Sequence, residues 1–330
     1  LETNDAYAPD DLVDFANIKG QAHVKRVLEI AAAGNHNVRM VGPPGAGKSL
    51  LAHAIPKILP PMTLEEALEV TRIYSVSDML EPGQALVQQR PFHAPHHTIS
   101  SAGLIGGGSV PKPGGVSLSH RGVLFLDEVN EFPTRVLELL RQPIEDKTVT
   151  ISRAKQTLTF PANFMLVAAH NPCPCGNFGD SARACSCSPT MIKRYQAKLS
   201  EPMLDRIDIH VDVPRVEYDK LMDDSLAEPS EAVRARVIDA RERQTARFAD
   251  RPTIYANGDI GPGDIDTFCV LDADAKQVLE LSVRRLQLSA RSYHRVLKLS
   301  RTIADLDSCD TIGITHVSEA LQYRASQFQV

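Results

Sequence analysis

The sequence contains no long hydrophobic run, no excess of positive charge and few cysteines for its length. No apolar stretch approaches the roughly 18 residues that a membrane helix needs, and no signal-peptide pattern opens the chain, which excludes a membrane-spanning helix. The 36 lysines and arginines are outnumbered by 41 aspartates and glutamates, for a net charge of -5. This balance excludes a wholly basic domain that coats nucleic acid, so any contact with phosphates must come from local loops. Six cysteines among 330 residues do not form a secreted disulfide scaffold, and we expect a cytoplasmic protein without membrane contact.

The residues that are present alternate between strand-like and helix-like patterns and then become helical throughout. Continuous apolar runs predict buried strands over residues 37–41, 122–129, 163–169 and 206–213, with a small hairpin over residues 148–160. Helical spacing predicts helices over residues 19–33, 133–144, 230–248, 273–288, 292–306 and 315–326. This order predicts an α/β ATPase core over residues 1–215, followed by an all-α lid over residues 216–330.

Residues 42–49 read GPPGAGKS, which fits the phosphate-binding pattern G-x-x-x-x-G-K-[ST] at every fixed position. The segment follows a predicted strand and opens a predicted helix, which is the context that the pattern requires. Its glycines let backbone N–H groups converge on an anion, and the helix dipole favours the same charge. We expect Lys48 to reach the β- and γ-phosphates and the Ser49 hydroxyl to bind Mg²⁺. The predicted nucleotide-binding residues are Gly42, Pro43, Pro44, Gly45, Ala46, Gly47, Lys48 and Ser49.

Asp127 and Glu128 follow four apolar residues, so we expect them at the carboxyl end of a buried strand. Parallel α/β sheets bind their ligands at that edge. Asp127 is predicted to hold Mg²⁺ through water, because this ion keeps part of its hydration shell. Glu128 is predicted to orient and polarise the attacking water. An Asp-Glu pair after apolar residues can also be a solvated strand end, and the upstream phosphate-binding pattern favours the catalytic interpretation.

Beyond these two patterns, the chain resembles the AAA+ ATPases, and within them the magnesium chelatase-like proteins of ComM/YifB type. The resemblance covers nearly the whole chain and is carried by segments in a fixed order: DFANIKGQAHVKRVLEIAAAG, RPFHAPHHTIS, LIGGGSVPKPG, SLSHRGVLFLDEVNEF, LRQPIEDKTVTISRA, LVAAHNPCPCG, LDRIDIHV and RTIADL. It implies an AAA+ P-loop core with a parallel sheet flanked by helices, an insertion in helix 2, a hairpin before the sensor-1 strand, and the cofactors ATP and Mg²⁺. In that family a Lon-like domain precedes the motor, so we expect this chain to be part of a longer protein.

The resemblance assigns roles to two residues that lie at or near the ends of predicted strands of the core. Asn171 matches sensor 1, a neutral polar group that holds water or the γ-phosphate; the alternative is a cap of the turn before Pro172. Arg206 matches the arginine finger that completes the site of a neighbouring subunit. A guanidinium suits this role because it spreads its charge over several donors. A structural pair with Asp205 or Asp208 is the alternative for Arg206.

In the predicted lid, Arg291 matches sensor 2, which couples the lid to the nucleotide. Arg295, one helical turn further, is the rival candidate for this role. The chain departs from the family pattern at Gly115, where the family has a glutamate. It therefore lacks that carboxylate beside the central insertion.

An arginine finger supplied by a neighbour implies a ring, most simply of six copies. By resemblance, the Gly-rich insertion over residues 90–119 and the hairpin that follows project toward the central pore. Basic residues there would form a positively charged funnel for single-stranded or branched DNA. The candidate DNA contacts are Arg90, Lys112, Arg153 and Lys155.

Four of the six cysteines lie in two Cys-x-Cys pairs within the excursion over residues 171–189, between sensor 1 and the arginine-finger segment. Four thiolates would satisfy a tetrahedral Zn²⁺ in a closed structural site, and a metal cross-link would give a fold to this polar loop. Reduced thiols without metal and a redox pair are the alternatives. By resemblance, ComM-type proteins have the cluster and chelatase motors lack it. The candidate zinc ligands are Cys173, Cys175, Cys185 and Cys187.

These features together predict a hexameric motor that depends on Mg²⁺ and ATP. By resemblance, it is a DNA translocase or helicase that promotes branch migration in recombination during natural transformation. The first alternative is a motor subunit that drives metal insertion into a porphyrin. The second alternative is an AAA+ ATPase that remodels protein assemblies and does not touch nucleic acid.

Overall fold

A computed structural model describes residues 13–80, 82–108, 111–153, 156–180, 182–216 and 227–324, and the side chains of Arg153 and Gln156 lie outside this set. The strands within these residues are β1 (Val38–Val41), β2 (Phe92–His93), β3 (Gly106–Gly107), β4 (Lys112–Pro113), β5 (Val123–Leu126), β6 (Thr148–Arg153), β7 (Gln156–Pro161), β8 (Met165–His170) and β9 (Ile209–Asp212).

The helices of the same residues are α1 (Ala22–Gly34), α2 (Lys48–Ile58), α3 (Leu64–Val76), α4 (Ser101–Ile105), α5 (Gly115–Leu118), α6 (Thr134–Glu138), α7 (Arg141–Asp146), α8 (Pro189–Gln196), α9 (Glu201–Leu204), α10 (Ser230–Arg247), α11 (Ile265–Phe268), α12 (Ala273–Leu286), α13 (Ala290–Leu306) and α14 (Ile314–Gln322). Short 3-10 helices cover Phe15–Asn17, Val129–Glu131 and Asn257–Asp259. In this described part of the chain, none of the helices combines the length and the apolarity that crossing a bilayer requires.

Five strands form one parallel sheet in the order β2-β5-β8-β1-β9, and this confirms the predicted α/β core. Leu126 in β5 lies opposite Ala168 in β8, and Val41 in β1 lies opposite His170 in β8. Strands β1, β5 and β8 therefore end at one edge of the sheet, and the residues that follow them are neighbours in space. Parallel α/β sheets bind their ligands at this edge.

Apolar side chains of the sheet alternate between two hydrophobic cores. Phe125 and Val167 pack in a core that also contains buried residues of α1 and α2, whereas Leu124 and Leu166 pack with α6, α7 and the β6–β7 hairpin on the other face. Buried residues of the C-terminal helices, such as Val237 in α10, belong to the first core. Within the predicted lid, residues 227–324 form helices α10 to α14 and their connections, as expected of an all-α region, and continuous apolar packing joins them to the sheet. Residues 217–226 and 325–330 of the predicted lid lie outside the described residues.

Several short helices, among them α4, α5, α9 and α11, were not predicted, and two longer segments also differ from their prediction. The single helix predicted over residues 133–144 is wrong, because two short helices, α6 and α7, replace it. Pro143 has no N–H to donate to the carbonyl of Leu139, so a continuous helical ladder is interrupted there. Helix α3 is absent from the sequence-based prediction, although Thr63 and Glu66 form a capping box at its start. The pattern T-x-x-E was the signal that could have found it.

Candidate active site

The phosphate loop lies between β1 and α2 and leaves open space in front of two of its glycines. Gly45 and Gly47 have φ angles of +77° and +89°, a left-handed conformation that favours glycine, and no atom beyond the adjoining residues lies within 4 Å of the place that a Cβ would take. No side chain caps the start of α2, so its first N–H groups are left to bind another acceptor. A turn of this kind at the amino end of an 11-residue helix fits a phosphate group.

Lys48, the first residue of α2, has its ammonium group inside the loop. Its Nζ donates to the carbonyl oxygens of Gly42 at 2.7 Å and Pro43 at 3.0 Å, and to Oδ1 of Asn171 at 3.1 Å. Burial lowers the pKa of Lys48, and the charge of Asp127 opposes that shift. A phosphate would compete with two carbonyl oxygens and one amide oxygen for this ammonium group.

Ser49 and Asp127 meet at the edge of the sheet. The Ser49 hydroxyl donates to Asp127 Oδ2 at 2.6 Å, and Asp127 Oδ1 accepts the Glu128 N–H at 2.8 Å. A hydroxyl and a carboxylate in contact are hard oxygen ligands of the kind that Mg²⁺ binds. The donor pair therefore fits the ion, and the Mg²⁺ assignment stays a prediction that these two side chains support.

Glu128 adopts a backbone conformation that is unusual for its residue type. Its φ is 48°, in the left-handed region, where a residue other than glycine costs about 1 kcal/mol. Its side chain is exposed, next to Asp127 at the end of β5. Residues in such conformations cluster at functional sites, and they persist only where the surrounding structure holds them in place. This conformation favours a functional role for Glu128 over the alternative that it is only a solvated strand end.

Asn171 joins the site through Lys48 and is backed by two buried polar residues that were not singled out from the sequence. His170 Nδ1 donates to the Asn171 carbonyl at 2.6 Å, and Arg39 Nε donates to His170 Nε2 at 2.8 Å. Burial lowers the pKa of His170 to about 3, and the Arg39 charge acts in the same direction, so the imidazole is neutral and can accept from Arg39. Arg39 interrupts an otherwise apolar strand and His170 ends another, which was the available signal. The contact with Lys48 favours the sensor assignment of Asn171 over a turn cap.

Arg206 and Arg291 are brought together on one carboxylate. Arg206 Nη2 lies 2.8 Å from Glu145 Oε2, and Arg291 pairs with Oε1 of the same residue. Arg206 also donates to the Pro202 carbonyl at 2.5 Å. Both arginines line a cavity of about 840 Å³ between the core and the lid, and residues 42–49 do not line it. The structure therefore groups the two arginines with each other and not with the phosphate loop of the same chain.

The two aspartates considered as structural partners of Arg206 have other contacts. Asp205 pairs with Arg295 at 3.6 Å, and Asp208 accepts the Asn37 N–H at 3.0 Å. The buried Nε of Arg206 has no hydrogen-bond partner within the described ranges. One donor of the guanidinium group is therefore left unused in the single chain.

Arg291 and Arg295, the two candidates for sensor 2, differ in accessibility. Arg295 has a side chain that is 12% exposed, and it donates to the Ile207 carbonyl at 2.6 Å, which ties α13 to the segment that follows Arg206. Arg291 is 49% exposed. Arg291 is the more accessible of the two and shares Glu145 with Arg206, which favours it for sensor 2, and this role stays a prediction.

The four cysteines of the excursion are gathered in one cluster. Their sulfur atoms all lie within 4.8 Å of one another, and the closest pairs are 3.4 to 3.7 Å apart. These distances are too long for a disulfide bond and close to the roughly 3.8 Å between sulfurs on a tetrahedral ion with Zn–S bonds of about 2.3 Å. Backbone N–H groups of Asn177 and Ser186 lower the pKa of Cys175 to about 5, whereas burial and hydrogen bonds with Cys175 raise the pKa values of Cys185 and Cys187. The cluster has the donor type, number and spacing of a tetrathiolate metal site. Its members are Cys173, Cys175, Cys185 and Cys187.

The Cys-rich excursion packs directly against the phosphate loop. A Cβ on Gly176 would lie only 2.4 Å from Pro44 Cδ, so the glycine permits a close approach of the two loops. Asp180, from the same excursion, pairs with Arg215 at 2.7 Å. The position of the excursion is therefore linked to the position of the phosphate loop.

Two family models match the chain over almost all of the described residues. The model described as magnesium chelatase, subunit ChlI, matches residues 14–221, and the model described as magnesium chelatase, subunit ChlI C-terminal, matches residues 227–324. The chain belongs to the magnesium chelatase-like family of AAA+ proteins. The resemblance predicted from its motifs is confirmed.

Individual relatives place the chain with the ComM and YifB proteins of this family. Uncharacterized protein YifB of Salmonella typhimurium is 42% identical over 323 residues, which are 97% of this chain and 62% of that protein. Competence protein ComM of Haemophilus influenzae is 44% identical over 321 residues, 97% of this chain and 61% of that protein. The magnesium-chelatase 38 kDa subunit of Cereibacter sphaeroides is 26% identical over 175 residues, 48% of this chain and 52% of that protein. The chain spans about three fifths of the length of YifB and ComM.

Among the basic residues predicted for the pore, Arg90 is engaged within its own chain. Its guanidinium donates to the carbonyl oxygens of Pro60 at 2.6 Å and Arg121 at 2.7 Å, and it pairs with Glu66 at 2.7 Å. These contacts tie the start of the insertion to α3. Arg90 therefore gives no support to DNA binding by this chain.

The other candidate DNA contacts are more open or lie beyond the described residues. Lys112 is exposed and pairs with Asp78 at 2.6 Å. Lys155 and the side chain of Arg153 lie outside the part of the chain that the structure describes. The contribution of the hairpin to DNA binding stays a prediction.

Gly115, where the family pattern has a glutamate, lies against a histidine. A Cβ on Gly115 would come within 2.8 Å of His93 Nε2. The imidazole thus occupies the space that a longer side chain would need. In this chain, His93 and not a carboxylate fills that place beside the insertion.

Proposed function

We propose that this chain is the motor part of a Mg²⁺-dependent ATPase. The observation that carries the proposal is the sheet edge where the phosphate loop, Asp127 with Glu128, and Asn171 follow three adjacent strands. Two direct contacts join these loops, Lys48 to Asn171 and Ser49 to Asp127. Hydrolysis of a nucleoside triphosphate needs a phosphate cradle, an acidic metal-binding strand end and a group that orients water within reach of the same phosphates.

Each residue in this proposal has a role that its chemistry suits. The N–H groups of the loop and the ammonium of Lys48 bind the β- and γ-phosphates. Ser49 and Asp127 hold Mg²⁺, which neutralises phosphate charge when bound. Glu128 orients the attacking water, and the neutral amide of Asn171 holds that water or the γ-phosphate.

We further propose that Arg206 and Arg291 act on the nucleotide of a neighbouring copy. Their support is the shared position on Glu145, in a cavity that their own phosphate loop does not line. A guanidinium that faces the phosphate oxygens stabilises the charge that develops during phosphoryl transfer. Such a contact joins two different surfaces of successive copies, and heterologous contacts of this kind close into a ring, for which we propose six copies.

For the substrate of the motor, we propose DNA that is recombined during natural transformation, with the motor acting as a translocase or helicase. The support is the 44% identity to a relative named competence protein ComM and the basic residues of the hairpin sequence, Arg153 and Lys155. A chelatase motor is the second candidate, because the magnesium-chelatase 38 kDa subunit is also related. Its identity of 26% over 48% of this chain places it second.

We also propose that the four cysteines hold one structural Zn²⁺. Four sulfur atoms within 4.8 Å of one another, on a polar loop without a core of its own, support this proposal. Metal analysis of the purified protein should find one zinc per chain. A strongly substoichiometric amount after purification without chelators would favour reduced thiols.

The test of the motor proposal is ATP turnover in the presence of Mg²⁺, measured without DNA, with linear duplex and with four-way DNA. We expect four-way DNA to raise ATP turnover. We also expect the affinity for DNA to fall as salt rises, with a slope of log K against log salt concentration of about −0.9 for each phosphate that the protein neutralises. If DNA does not change ATP turnover, but the other subunits of a chelatase together with a porphyrin raise it, the chelatase motor would be favoured. No turnover under any of these conditions would overturn the ATPase proposal.

A further inference from the structure

Glu145 contacts both arginines that the proposed function assigns to the nucleotide of a neighbouring copy. Its Oε2 lies 2.8 Å from Arg206 Nη2, and its Oε1 pairs with Arg291. Burial opposes ionisation of Glu145, but the hydrogen bond and charge of Arg206 and the charge of Arg291 together lower its pKa. The carboxylate is therefore a fixed negative charge between two positive ones.

Two guanidinium groups this close together repel each other unless an anion lies between them. Arg206 has a second anchor, the Pro202 carbonyl, and its side chain is 10% exposed. Arg291 is 49% exposed, and a long exposed side chain samples many rotamers unless a partner holds it. Glu145 therefore does two things at once: it offsets the repulsion, and it limits the conformations of Arg291.

The backbone that carries Glu145 is itself well anchored. Ile144, the preceding residue, is buried in the second core, with residues of α6 and the β6–β7 hairpin. Lys147, two residues further, ends α7 in a left-handed conformation and pairs with Asp259 at 3.6 Å. A carboxylate on a rigid base can set the position of mobile partners, as a supporting shell does around a catalytic group.

We propose that Glu145 is a positioning residue that holds Arg206 and Arg291 together in the arrangement with which both reach the neighbouring nucleotide. This inference rests on the proposed function, since it requires hydrolysis that depends on the two arginines. Glu145 acts through them and does not itself touch the phosphates. Its effect is therefore expected on the rate of hydrolysis and not on the binding of ATP by the phosphate loop.

The first experiment separates these two effects with Glu145→Gln, which keeps the size of the side chain and removes its charge. We expect kcat for ATP to fall about 10- to 100-fold, as for a misplaced catalytic group, while KM and the Kd of a fluorescent ATP analogue stay within about twofold. Glu145→Asp, which keeps the charge on a shorter side chain, should recover part of the lost kcat. The matched control is Glu228→Gln, because Glu228 is 49% exposed and pairs with Arg236 elsewhere on the surface. It should hydrolyse ATP at the unaltered rate.

The second experiment distinguishes positioning from a general structural role. When both arginines are replaced, in Arg206→Ala with Arg291→Ala, a residue that acts only through them has nothing left to position. Adding Glu145→Gln to that double variant should therefore cause no further loss of residual turnover. A structural role would reduce turnover by the same factor in both backgrounds.

The outcomes also separate this inference from the function on which it rests. If the unaltered chain does not hydrolyse ATP, the ATPase proposal fails, and if Arg206→Ala hydrolyses it normally, the proposed role of that arginine fails. This inference fails in either case. If Arg206→Ala hydrolyses ATP slowly but Glu145→Gln does so at the unaltered rate, the proposed function stands and only the positioning role of Glu145 is wrong. The positioning role would also be wrong if Glu145→Gln reduced turnover by the same factor in the variant that lacks both arginines as in the otherwise unaltered chain.

Discussion

Substitution of Glu128 should reduce the hydrolysis of ATP without reducing its binding. The left-handed backbone of Glu128 holds an exposed carboxylate beside Asp127, whereas the ammonium group of Lys48 lies inside the phosphate loop and donates to the Gly42 carbonyl. We expect Glu128→Gln to bind ATP normally and to lose about 100-fold or more in turnover, because general-base assistance is removed. Lys48→Ala should lose nucleotide binding itself.

Phosphate release and titration with a fluorescent nucleotide measure the two properties separately. Glu131→Gln is the control, because Glu131 is an exposed neighbour that pairs with Lys198 at 3.5 Å. It should bind and hydrolyse ATP as the unaltered chain does. Hydrolysis by Glu128→Gln at the unaltered rate would show that another group orients the water.

Three buried histidines should make the stability of the fold depend on pH below neutrality. Burial lowers the pKa of His120 to about 4 and of His170 and His210 to about 3, whereas an unfolded histidine titrates near a pKa of about 6.5. As the pH falls from 7 to 5, the unfolded chain gains these protons and the folded chain does not. The free energy of unfolding should therefore decrease, by up to roughly 1.4 kcal/mol per pH unit for each histidine below pH 6.5.

Urea unfolding at pH 7, 6 and 5 measures this dependence. His210→Leu should remove about a third of it, because one of the three titrating groups is gone. Equal free energies of unfolding at pH 7 and pH 5 would contradict the depressed pKa values.

At the scale of structural elements, the Cys-rich excursion should support the phosphate loop. Gly176 and Gly179 share a left-handed backbone, with φ angles of +80° and +79°, but a Cβ would clash with Pro44 only at Gly176. Gly176→Ala should push the two loops apart and weaken ATP binding several-fold. Gly179→Ala carries the same backbone strain of about 1 kcal/mol without the clash, and it is the matched control.

The measurement is the Kd of a fluorescent ATP analogue for each variant, with the Tm as a check on stability. Gly176→Ala should lose at least as much stability as Gly179→Ala, and only Gly176→Ala should bind ATP more weakly. Equal affinities would show that the packing of the excursion on Pro44 does not affect the nucleotide site.

At the scale of the whole molecule, the proposed active site is divided between two copies. Lys48→Ala keeps Arg206 but lacks nucleotide binding, and Arg206→Ala keeps the phosphate loop but lacks the arginine. Alone, Lys48→Ala should not hydrolyse ATP and Arg206→Ala should do so only at a low residual rate, and an equal mixture should regain activity. About a quarter of the contacts in a randomly mixed ring with heterologous interfaces would join an intact loop to an intact arginine.

Turnover of the mixture, compared with the sum of the separate variants, is the measurement. Two batches of the same variant, mixed in the same way, serve as the control for concentration. A mixture no more active than that sum would show that the arginine does not act across an interface.

The parts of the site that could be predicted are those that a short segment specifies. The phosphate loop, Lys48 and Ser49 follow from one turn between a strand and a helix, and Asp127 from the end of an apolar strand. Arg39 and Glu145 could not be found in this way. Arg39 contacts a residue 131 positions away, and Glu145 contacts Arg291 across 146 positions.

The sequence by itself therefore determined the central strands, the order of core and lid, and the phosphate-binding turn, because hydrophobic period and glycine conformation act over a few residues. Only the tertiary structure decided that Arg206 and Arg291 share Glu145, and that Gly176 of the Cys-rich excursion packs against Pro44. These contacts depend on how the lid and the excursion pack onto the sheet. Packing is set by the summed burial of many apolar side chains far apart in the chain, which no local pattern contains.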